Sequence, residues 1–166
     1  MISPDHVKLF AAYNGWMNRK VYETAARLTD AQRKEDRGAF FGSIQRTLDH
    51  VLYGDRVWLG RFVGRDFGGT TIDGRQHEDF AELLNARRAM DDEINAFGET
   101  VSADWLASDF TWVSGIDGKQ RTQPAWSLVN QMFNHQTHHR GQVTTLLSQL
   151  GEDVGPTDIQ AMPYWE

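Results

Sequence analysis

Cysteine is absent from the sequence. Disulfides, thiolate metal ligands, iron–sulfur clusters and a cysteine nucleophile are excluded with it, so any metal must be held by histidine, aspartate or glutamate. No apolar run approaches the roughly 18 residues that a membrane-crossing helix needs. The opening Met1-Ile2-Ser3-Pro4-Asp5-His6 lacks the basic start and apolar centre of a signal peptide, which makes the cytoplasm the expected compartment. No basic block offsets the formal net charge of −6, an argument against a duplex nucleic-acid surface. There is no glycine-rich phosphate loop, no nucleophile-elbow context around a serine, no internal repeat and no low-complexity tract.

The 166 residues suit one domain, 1–166, with a core large enough to need no staple. Six tryptophans and nine phenylalanines supply large apolar anchors for that core or for an interface. Apolar residues recur at spacings of three and four in four long stretches, which predicts an all-α bundle. The first helix is expected over 5–28, with Ser3 as cap and Pro4 at its first position. Trp16 reads as packing. A polar connection over 31–38 has room for a helical turn. The second helix is expected over 43–63, capped by Ser43. Its stripe is Ile44, Leu48, Val51, Leu52, Asp55 and Leu59, while Val57 and Trp58 make a second side partly apolar, so it should be packed on several sides.

A loop is expected over 64–75, then a third helix over 78–100 with Phe80, Leu83, Leu84, Arg87, Met90, Ile94 and Phe97 in register. Thr111-Trp112-Val113 and Gln120-Arg121-Thr122 flank a Gly/Asp turn and predict a short hairpin between the third and fourth helices, which must lie on the helices to be stable. Thr122 or Gln123 before Pro124 restarts a helix that stops at Gly151. The tail over 152–166, with two prolines, should be extended, its Tyr164 and Trp165 packed back on the bundle.

The fourth helix carries Asn134-His135-Gln136-Thr137-His138-His139-Arg140-Gly141-Gln142. His135 and His139 are four residues apart, about 40° around the axis and about 6 Å along it, so their imidazoles can grip one ion. Leu128, Met132, Val143, Leu146 and Leu150 define an apolar stripe that contains His139 and has His135 at its edge; His138 falls on the polar side. The same spacing also suits two ordinary core or surface histidines. His50, on the face of Tyr53 and Val57, reads on its own as an ordinary polar position. His6 and His77 read as surface residues near helix starts.

Three segments carry a resemblance, in the same order over essentially the whole chain. Leu9-Phe10-Ala11-Ala12-Tyr13-Asn14-Gly15-Trp16-Met17-Asn18, then Gly42-Ser43-Ile44 with Thr47-Leu48-Asp49-His50 and Asp55-Arg56-Val57-Trp58-Leu59, then Asn134-His135 with His138-His139-Arg140-Gly141-Gln142, resemble the DinB-like family (the DinB/YfiT superfamily). The resemblance implies a four-helix bundle of up-down-down-up type, often dimeric, with a divalent metal held by three histidines. Carried across, these are His50, His135 and His139. Zinc or nickel leads the expected metals, followed by iron or manganese.

Three neutral imidazoles leave a coordination position open, and with no carboxylate among them the ion keeps its full charge and favours an anionic incoming ligand. The resemblance implies a small-molecule substrate, in some members a low-molecular-weight thiol delivered to an electrophile, and a damage-inducible or stress-associated setting. A hydrolase using metal-bound water and a non-catalytic binding protein are the alternatives. Asp55 could orient a ligand or pair with Arg56. Asn134, Arg140 and Gln142 could support the ligands, Gly141 could let helices approach, and Asp49, Tyr53 and Trp126 could line a pocket. No catalytic residue is assigned.

Overall fold

The computed structural model describes residues 1–66, 76–115 and 117–164. Each long apolar period becomes a helix: α1 (Pro4–Ala26), α3 (Ile44–Val63), α4 (Phe80–Thr100) and α6 (Ala125–Gln149). The hydroxyls of Ser3 and Ser43 accept hydrogen bonds from the backbone N–H groups of His6 and Arg46 and so satisfy donors that a helix leaves free at its start. Gly64 closes α3 in the left-handed region. The turn anticipated over 31–38 is the short helix α2 (Asp30–Lys34), begun one residue earlier by a reciprocal Thr29–Gln32 cap. A further short helix, α5 (Ala103–Ala107), was not expected; Ser102 caps it and its Leu106 is fully buried. The loop expected over 64–75 lies outside the described residues from 67 onward. Among the described residues, no helix is long and apolar enough to cross a membrane.

The helix directions follow from residue pairs. Gln45 bonds the carbonyls of His77 and Glu78 just before α4, Asp55 meets Arg87 halfway, and Phe62 stacks on Phe97 near the far end. Helices α3 and α4 are therefore parallel. Lys8 pairs with Glu99 and Asn18 with Asp91, so α1 and α4 are antiparallel. His50 faces His139 and Gly54 faces His135, so α3 and α6 are antiparallel too. The order is up-down-down-up, with α1 against α4 and α3 against α6 as the main packed pairs.

Strands β1 (Asp109–Val113) and β2 (Gln120–Pro124) form the hairpin, with Thr111 opposite Thr122 and their hydroxyls 2.7 Å apart. It leans on α3 through Trp112 on Trp58 and Phe110 on Phe62, as a two-stranded sheet must. Thr122 and Gln123 stand in β2 and do not cap α6; Pro124 occupies that position without a side-chain cap. Backbone and apolar contacts hold part of the tail. Met162 is buried, Tyr13 donates to the Thr157 carbonyl, and Tyr164 is 38 % exposed. Trp165 lies outside the described residues.

One layer of the interior is polar. Arg87 (α4) pairs with Asp55 (α3) and Asp91, Asn18 (α1) donates to Asp91 and Gln136 (α6), and Arg140 (α6) donates to Gln136 and Asn14 (α1). All seven residues are buried, and together they tie the four long helices into one register.

Candidate metal centre

Histidine 50 reaches the interior because α3 is packed on two sides. Its main stripe meets the core shared with α1 and α4, and the face one position round meets α6, which presents His135 and His139 one turn apart. The ligand-capable nitrogens of the three rings lie within 4.8 Å of one another, and among the described residues no carboxylate joins them. His50 Nε2 and His135 Nε2 are 3.0 Å apart. Nitrogens bound to one ion at about 2.0–2.1 Å stand roughly 2.9–3.4 Å apart at octahedral or tetrahedral angles. The all-nitrogen donor set and the His50–His135 spacing fit a divalent metal, with His139 as the third candidate ligand.

Neighbouring groups orient the rings. Gln142 Oε1 lies 2.8 Å from His139 Nδ1. An amide oxygen only accepts, so the proton sits on Nδ1 and the Nε2 lone pair is free for a metal. Phe41 stacks on His50 at 3.8 Å and stands 5.5 Å from His139, an apolar wall beside the cluster. Gly42, at φ +79°, permits the tight turn before α3 that puts Phe41 there. Gly54 lies directly beneath His135: a Cβ on it would come within 2.8 Å of the ring. His138 is exposed, outside the cluster, and bonded to Gln142.

Several residues singled out in the sequence stand elsewhere. Asp55 pairs with Arg87, not Arg56, which bonds Gln76. Arg140 belongs to the polar layer, Asn134 is exposed, and Gly141 has nothing within 4 Å of a notional Cβ. Neither outlying histidine is a plain surface residue: His6 stacks on Phe10 at 4.4 Å, and His77 Nδ1 is 2.7 Å from Asp49 Oδ1. Gly54 was missed, although a glycine inside a helix one turn after a histidine is itself a signal, since it weakens the helix unless space is needed.

All three imidazoles resist protonation. Burial, reinforced by the neighbouring His139, pulls His50 down to about 4, and burial with the same neighbour pulls His135 to about 3; burial also lowers His139. They are therefore neutral at neutral pH, the state in which an imidazole can bind a metal. The unfolded rings titrate near 6.5. Between that value and about 4, acid protonates the unfolded chain but not the folded one. This part of the stability of metal-free protein is thus complete above about pH 6.5 and is lost as pH falls towards 4. Urea midpoints measured at about pH 7.5 and about pH 5 should fall in that order; a midpoint that rises on acidification would contradict the buried, neutral cluster.

The DinB family model matches residues 3–166. Protein DinB of Bacillus subtilis (strain 168) is 24% identical over 151 residues, which cover 88% of this chain and 87% of the relative. The crystal structure of a DinB-like protein from Bacillus cereus ATCC 10987 superposes with a TM-score of 0.61 at 19% identity, covering 84% of this chain and 89% of the other, a likeness of fold. With the family model spanning nearly its whole length, the chain belongs to the DinB family.

Proposed function

We propose that this protein is a metal-dependent enzyme that delivers a low-molecular-weight thiol to a small electrophile. The observation that carries the reading is the all-imidazole cluster, neutral and without a carboxylate among the described residues. A divalent ion there would supply Lewis acidity and lower the pKa of an incoming thiol, favouring its nucleophilic form. The chain supplies orientation and access. Gln142 fixes the tautomer of His139, and Phe41 shields one side of the cluster from water. A surface depression of about 460 Å³, lined by Arg37, Ala39, His138 and Gln142, offers space for a small thiol next to the turn of α6 that carries His139, and Arg37 there is paired with Glu35. In the transfer, sulfur bonds to the electrophilic carbon, the leaving group departs with its electron pair, and the thiol proton passes to solvent.

The test is turnover of a panel of alkyl halides and epoxides by metal-loaded protein, with and without small thiols. Product formation should need both metal and thiol and should disappear in His139→Ala. Electrophile hydrolysis without a thiol would replace this reading with the water-using one. No turnover at full metal occupancy would leave a binding protein.

A further inference from the structure

A second cavity, of about 210 Å³, opens on another face of α3, and none of the three clustered histidines lines it. Its wall combines Lys34 from α2, the cap residue Ser43, Gln45, Arg46 and Asp49 from α3, and His77 and the exposed acid Glu78 from the segment before α4. We propose that this cavity binds a small carboxylate that also carries a hydrogen-bond donor, as hydroxy acids and amino acids do.

The acceptors are held in place. Gln45 is 3% exposed. Its Nε2 donates to the carbonyls of His77 at 3.2 Å and Glu78 at 2.9 Å. Two carbonyl partners fix the amide's orientation, and Oε1 is left buried with no partner. An unmet buried acceptor is costly, and a ligand donor would satisfy it. Asp49, itself buried, accepts from the backbone N–H groups of Gln76 and His77 with Oδ2, while Oδ1 holds His77 Nδ1. Its carboxylate is spent on these bonds, and the His77 proton is held on Nδ1. When that ring is neutral its Nε2 is a second acceptor, and it makes no hydrogen bond among the described residues.

The cations stand beside them. Arg46 is exposed and its guanidinium makes no ion pair or hydrogen bond among the described residues. Lys34 shares its charge with Asp30 at 3.0 Å. The positive end of the α3 dipole adds to the same field. A carboxylate on Arg46 and Lys34, with a hydroxyl or ammonium turned to Gln45 and His77, meets each of these demands.

Backbone-amide NMR of metal-stripped protein tests this, since no anion can then be held by a metal. Acetate, glycolate and glycine are titrated in turn. Saturable shifts at residues 43–49 and 76–78 are expected with glycolate or glycine, about tenfold tighter than with acetate; which of the two binds tells the hydroxyl from the ammonium donor. Arg46→Gln, at an exposed position, should weaken the binding about tenfold and leave metal stoichiometry unchanged. Gln45→Met should bring the better ligand down to the level of acetate. Absence of saturable shifts with all three compounds would overturn the proposal. So would equal affinity for acetate, or undiminished binding by Arg46→Gln.

Discussion

Asp55→Ala is expected to lower the unfolding free energy by about 3 kcal/mol, because breaking a buried ion pair from one side strands the other charge. Arg87 is 1% exposed and Asp55 0%. Burial works against the guanidinium charge, but Asp91 and Asp55 outweigh it and raise the Arg87 pKa, so it stays charged in the fold. Asp91 remains at 2.9 Å after the substitution, which places the loss at the lower end of the range for buried pairs. The wider layer multiplies the effect on register, since Asn18, Gln136, Arg140 and Asn14 are bonded onward from Asp91. Replacing both partners, as in Asp55→Leu with Arg87→Met, should recover much of the loss because no charge is then left unpaired. Urea unfolding with an unchanged slope measures both variants. A loss below about 1 kcal/mol for Asp55→Ala would show that the layer contributes little.

Gly54→Ala should separate stability from metal binding. Alanine is favoured over glycine inside a helix by roughly 0.5–1 kcal/mol, so the folded helix should not suffer. The new Cβ, however, would meet His135 Cε1 at 2.8 Å and Nδ1 at 3.1 Å. The ring is the movable partner, and turning it away takes Nε2 from its place 3.0 Å from His50 Nε2. Displacing one ligand in this way should cost about 10- to 100-fold in metal affinity, with the thermal midpoint unchanged or higher. Calorimetric metal titration beside a melting curve reads both. Unchanged affinity would mean that His135 does not need its present position.

Much of this architecture is visible in the sequence, for local reasons. Ser3-Pro4, Ser43 and Gly64 carry their own capping chemistry, and the Thr/Trp alternation around Gly115 and Gly118 carries the hairpin. His135 and His139 are linked by helix period alone. What is harder to see depends on a second element. Asp55 and Arg87 each stand in an otherwise apolar stripe, which marks them as a buried pair. Pairing Asp55 with its neighbour Arg56 fails because successive residues on a helix point in different directions. His50 looks peripheral on the α3 wheel until α6 is laid against its face. His77 precedes a helix and looks exposed, yet Asp49 captures both its ring and its backbone N–H. The short helix α5 has too few residues for a period to show, and only Ser102 and the buried Leu106 betray it.

Metal stoichiometry across single histidine variants tests the shared three-imidazole centre most directly. Elemental analysis after desalting should find about one divalent ion per chain in the parent protein and in His138→Ala. His50→Ala, His135→Ala and His139→Ala, all still folded by circular dichroism, should retain none. Metal kept by His139→Ala but lost from His138→Ala, or kept by His50→Ala at undiminished affinity, would contradict it.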